Sequence, residues 1–104
     1  MIALPPSPPA RVQVVAHEFR YALSRITVKA GAAIIELDNA GQDAHDLRMQ
    51  RVGGKRVYAW PETPAGEIAE RTFTLVPGIY RLWCSVANHR ALGMQATLVV
   101  KKRS

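Results

Sequence analysis

Apolar and polar positions alternate in short bursts along most of this chain. No window of about 11–18 residues holds a clean helical period. Val12 to Ala16 is apolar and β-branched, and Ile26-Thr27-Val28 alternates before Lys29-Ala30-Gly31 ends it. Ile34 to Leu37 is a second apolar run, closed by Asp38-Asn39-Ala40-Gly41. Leu47 and Met49 alternate with Arg48 and Gln50, and Gly53-Gly54 turns the chain toward Arg56-Val57-Tyr58. Ala69, Phe73 and Leu75 fit one face of a strand whose other face carries Glu70, Thr72 and Thr74. Pro77-Gly78 makes a turn into Ile79 to Cys84, and Ala96 to Val100 follows. About eight short strands at roughly 8–12-residue spacing predict an all-β sandwich.

One strand carries a further inference. Side chains alternate in direction along Tyr80-Arg81-Leu82-Trp83-Cys84. Arg81 wants water, so Tyr80, Leu82 and Cys84 form the inner face. The thiol then points inward where the chain leaves the sheet.

Composition narrows the class. The chain has 104 residues, 48% hydrophobic and 21% charged, enough for one globular domain and too apolar for a wholly disordered one. With one cysteine, neither an internal disulfide nor a four-thiolate centre is possible. Four prolines among residues 1–10 predict an extended linker or tether stub, with the domain at 11–104. The N-terminus lacks the basic and long apolar regions of an intact secretory signal, and no run of about 18 apolar residues predicts a spanning helix. The formal net charge of +6 suits an anionic partner, either an acidic protein or a membrane surface. No basic stripe is interleaved with aromatics, so no nucleic-acid partner is expected.

The candidate chemistry lies after the inner strand. Cys84 to Met94 reads C-x4-H-x4-M, which puts a thiolate, an imidazole and a thioether on one loop. Soft sulfur donors select copper, and two histidines with one cysteine and a weak axial methionine form a blue-copper set. A second histidine is then needed, and His45 is the candidate, on the connection that begins at Asn39 and could lie at the same end of the sandwich. His17 has no sulfur donor beside it and reads as a surface histidine. By itself each of these residues has a plainer explanation, as a buried thiol, a turn histidine or a core methionine.

At these spacings the sequence resembles the cupredoxins, the plastocyanin/azurin-type blue copper family. Asn39 to Asp46 is similar to the family's N-x-G…H-N/D stretch, and Pro77 to Cys84 to its P-G-x-Y-x-x-x-C strand. The likeness runs from Val12 to Val100. It implies a Greek-key β-sandwich of about eight strands and one copper ion on His45, Cys84, His89 and Met94. It also implies single-electron transfer rather than enzymatic turnover. The gap from Cys84 to His89 is longer than in plastocyanin and closer to rusticyanin-type members. Asp46 stands where many members carry asparagine.

Around the ligands, Ser85 is expected to bond toward Asp46 and link the two ligand loops, and Asn39 to tie its own loop; ordinary turn capping is the plainer role for both. Ala87, Ala91, Leu92 and Gly93 are expected to form an apolar collar facing a redox partner such as a cytochrome or oxidase, acidic given the net charge. A monomer in an extracytoplasmic or periplasmic setting, with a possible membrane tether through residues 1–10, completes the expectation. The rival readings are a copper carrier or storage domain with the same ligands, a zinc site on His45, Cys84 and His89, and a sandwich that binds no metal. Three histidines and one cysteine are too few for a multicopper oxidase or a dinuclear copper-A centre.

Overall fold

The computed structural model describes residues 8–103. Of the proline-rich stretch, residues 1–7 lie outside the described residues, Pro8 and Pro9 are exposed, and Ala10 already opens the first strand. The chain then forms β1 (Ala10–His17), β2 (Arg20–Leu23), β3 (Thr27–Lys29), β4 (Gly31–Asn39) and β5 (His45–Arg51), followed by β6 (Val57–Thr63), β7 (Ile68–Leu75), β8 (Gly78–Trp83) and β9 (Gln95–Lys101). They make two sheets, ordered β2-β1-β4-β7 and β3-β9-β8-β5-β6. The expected all-β sandwich is what the chain forms. It adds β2, a four-residue strand too short and too mixed in polarity to stand out in the sequence.

Alternation builds the core. Val12, Val14 and Ala16 of β1 lie beside Ala33, Ile35 and Leu37 of β4, two strands paired in parallel with Val14 opposite Leu37. The second sheet contributes Leu47 and Met49 from β5, Tyr80 and Leu82 from β8, and Leu98 and Val100 from β9. Each fully buried large aliphatic side chain stabilises the fold by about 1.5–3 kcal/mol. The two large polar-tipped side chains are satisfied as they are buried: the Trp60 indole donates to the Ile35 carbonyl across the sandwich at 3.0 Å, and the Tyr80 hydroxyl to the Val76 carbonyl at 2.8 Å.

Strand register defines two poles. Ala16 pairs with Asn39, His45 with Thr63, and Trp83 with Gln95, so these strand ends gather at one end of the sandwich. Gly31 pairs with Leu75 and Gly78 with Val100 at the other.

Candidate metal centre

Three elements deliver the donors to the first pole. The inner face of β8 carries Tyr80 and Leu82, and Cys84 just past its end is buried with them, so the thiol continues the core face as the alternation predicts. His45 is the first residue of β5 rather than part of the preceding connection. The register of β5 against β6 slips between His45 and Leu47, and this irregularity buries His45, Asp46 and Leu47 in succession where strict alternation would expose the middle one. His89 sits in a run of turns between β8 and β9. Its N–H donates to the Val86 carbonyl, and its carbonyl accepts from the N–H of Met94. Met94 is fully buried, and its own carbonyl accepts from the Cys84 N–H at 3.2 Å. The loop therefore closes on itself, with the cysteine, histidine and methionine pinned to one another through the backbone.

One donor atom from each of His45, Cys84 and His89 lies within 4.8 Å of the other two, and all three residues are buried. Cys84 Sγ stands 3.6 Å from His89 Nδ1. Two ligands held about 2.0–2.3 Å from a shared ion and spread about 120° apart would be separated by about the same distance. The His45 ring settles which nitrogen faces inward. Its Nε2 lies 3.2 Å from Glu18 Oε1, an acceptor, so Nε2 carries the proton. Nδ1 keeps a bare lone pair, and it is buried with no hydrogen-bond partner. An orphaned acceptor in a dry interior costs about 1–3 kcal/mol unless something binds it. The donor set therefore fits a soft or borderline cation.

Burial pushes the Cys84 thiol above its ordinary value, so the free protein holds the proton that a metal would displace. Around the donors the aromatic rings are close-packed. Phe19 lies 4.7 Å from the His89 ring and edge-on to His45 at 6.5 Å, and the two imidazoles are 5.0 Å apart.

Asp46 joins the two ligand segments. It is buried, its carboxylate accepts from the Ser85 N–H at 2.7 Å and from the Ser85 hydroxyl, and Arg48 Nε is 3.5 Å away. The Asp46 carbonyl accepts from the Tyr21 hydroxyl. Burial, reinforced by Cys84 and Asp46, raises the Tyr21 pKa far above its usual value and keeps the phenol neutral. Asn39 is equally buried. Its amide donates to the Asp43 and Thr63 carbonyls, both at 2.8 Å, and its side-chain carbonyl accepts from the Gly41 N–H at 2.9 Å. Ala87, Ala91, Leu92 and Gly93 are all exposed around His89. Beside them the Arg90 guanidinium lies 4.7 Å above the Trp83 ring.

Glu18 and Phe19 are site residues the sequence reading missed. His17 next to them stays outside the donor cluster, as expected. The β1–β2 turn, however, brings Glu18 over the other loop, where Oε1 accepts from the N–H groups of Gln42 and Asp43 at 2.7 and 2.6 Å as well as from His45. The Asp43 N–H above all, with those of Gln42 and His45, holds the Glu18 carboxyl down at about 2. The only sequence signal was a carboxylate in a tight turn between two strands, which is common in proteins. Asp43 in turn stands 3.6 Å from His89 Nε2.

No family model matches the sequence, and no curated protein does. Solved structures match closely in shape. Reduced auracyanin from the photosynthetic bacterium Roseiflexus castenholzii superposes with a TM-score of 0.77 at 18% identity, over 91% of this chain and 99% of that one. Auracyanin A, a "blue" copper protein of Chloroflexus aurantiacus, gives 0.73 at 21% identity, over 90% and 100%. Reduced rusticyanin gives 0.71 at 17%, over 91% and 82%. The likeness is one of fold, and this chain has the cupredoxin sandwich.

Proposed function

We propose that this protein is a type 1 copper electron carrier, with His45, Cys84 and His89 as the strong ligands and Met94 as the weak fourth. The orphaned, buried His45 Nδ1 beside the Cys84 thiol and His89 Nδ1 carries the reading. Bound copper would supply a one-electron couple whose thiolate bond gives the blue colour. The chain's own part is to keep the donors still. Glu18 fixes one imidazole, Asp46 and Ser85 lock the two ligand segments together, and the Cys84-to-Met94 loop is closed by its own hydrogen bonds. Donors that barely move suit an ion that changes charge without changing neighbours.

The electron would pass through the His89 edge to a redox protein, a cytochrome or an oxidase, seated on Ala87, Ala91, Leu92 and Gly93. A monomer outside the cytoplasm suits such a role, and the three similar folds support an electron carrier over an enzyme. A copper carrier or storage domain would use the same donors but exchange its ion quickly.

Adding one equivalent of Cu(II) to the metal-free protein should produce an intense blue charge-transfer band that persists against a competing chelator. Cys84→Ser should abolish the band and His17→Ala should leave it. A colourless complex would overturn the reading, and rapid loss of copper to the chelator would favour the carrier instead.

A further inference from the structure

The pole opposite the metal centre carries a cluster of cations. A groove of about 700 Å³ opens there between the start of β1, β3 and the end of β9. Arg11, Arg25, Lys29, Lys101, Lys102 and Arg103 line it, and no carboxylate among the described residues does. These are six of the chain's fourteen cations, and the other eight equal the eight carboxylates in number. The groove therefore holds as many cations as the formal net charge of +6, with no carboxylate among its described lining. The groove is held in shape by the backbone. Ala30 N–H donates to the Lys101 carbonyl at 2.8 Å, and Arg103 Nε to the Ala30 carbonyl at 3.0 Å.

Exposed aliphatic side chains share this pole. Ile26, between Arg25 and Thr27 of the groove, is 69% exposed. Val76 and Ile79 flank the Pro77-Gly78 turn at the same end, and the Val52 N–H donates to the Ile79 carbonyl. All three are about half exposed, at 55%, 46% and 54%. Cations beside protruding aliphatics at one pole suit an anionic lipid surface, where the cations meet headgroup phosphates and the aliphatics enter the headgroup boundary. An acidic protein would account for the cations but would leave the aliphatics unexplained.

We propose that this pole docks on an anionic bilayer, with the metal centre turned away from the membrane. The docking is independent of copper, so it can hold even if the redox reading falls. The test is co-sedimentation of the full chain, metal-free and copper-loaded, with vesicles of equal parts phosphatidylglycerol and phosphatidylcholine, against phosphatidylcholine alone. Both forms should bind the anionic vesicles alike, ignore the neutral ones and dissociate as salt is raised. Lys101→Glu with Lys102→Glu should weaken partitioning more than about tenfold, since each cation near such a surface contributes about a fivefold effect. Ile26→Ser should weaken it less, and Arg71→Glu, on the flank of the sandwich, should leave it nearly unchanged. Circular dichroism of each variant separates lost docking from lost folding. Equal binding to both vesicle types, no binding at low salt, or full binding by the folded double-lysine variant would overturn the proposal. So would binding to polyglutamate without binding to vesicles, which would give the pole to an acidic protein.

Discussion

Two carboxylates beside the donors act in different ways. Asp46 is buried next to Cys84, and its two oxygens are used by Ser85. A negative charge there favours the more oxidised, more positive ion. Asn keeps the shape and an acceptor for the Ser85 N–H but removes the charge. Asp46→Asn should therefore raise the reduction potential of the copper-loaded protein in voltammetry, and an equal or lower value would contradict this. Glu18 instead holds a loop in place. Its folded pKa, about 2, lies below the ordinary 4.5. Its contribution to stability is thus complete above the ordinary value and is lost as pH falls toward 2. In urea titrations of the metal-free protein, the wild type should lose its advantage over Glu18→Gln across that interval. A gap that stays constant from neutral pH down to 2 would mean Glu18 contributes by shape alone.

Strands and loops differ in how much of them the sequence reveals. β1, β4, β5 and β8 announce themselves because one face must be apolar, and the inward thiol follows from the same alternation. β2 does not, since four residues give too short a period. The grouping of Cys84, His89 and Met94 was legible because a rare combination of side chains sits at fixed spacing in one loop. The clamp from Glu18 was not, because it depends on the β1–β2 turn crossing over residues 42 and 43, a tertiary contact with no local signature. Burial of Asp46 likewise comes from a slip in register that no local pattern marks. In the ligand loop, Gly93 holds φ at +109°, where an L side chain is strained, between His89 and Met94. Gly93→Ala should destabilise the protein by about 1–3 kcal/mol in urea denaturation. It should also weaken copper retention, since Met94 follows directly.

Across the whole molecule, the basic groove and the donor cluster lie at opposite poles. The six cations of the basic groove lie away from the collar, where Arg90 and Asp43 are the nearest charges to His89. β9 runs from Gln95 at the metal end to Lys101 at the basic end. Seven residues of strand span roughly 23 Å, about two screening lengths at 0.1 M salt. Electron self-exchange between copper-loaded copies, meeting collar to collar, should therefore depend only weakly on ionic strength above that concentration. Line broadening in NMR of mixed oxidised and reduced samples measures it. A steep rise with salt would mean the basic poles meet instead.

The stacking of Arg90 on Trp83 gives the protein a built-in optical probe. The chain has two tryptophans. One is sealed in the core at 1% exposure, while Trp83 is half-buried and covalently next to Cys84. Their emission should differ in wavelength, the red component coming from the more exposed indole of Trp83. Filling the donor cluster with a paramagnetic ion should quench this component first, so fluorescence alone would follow loading at concentrations too dilute for colour to be seen.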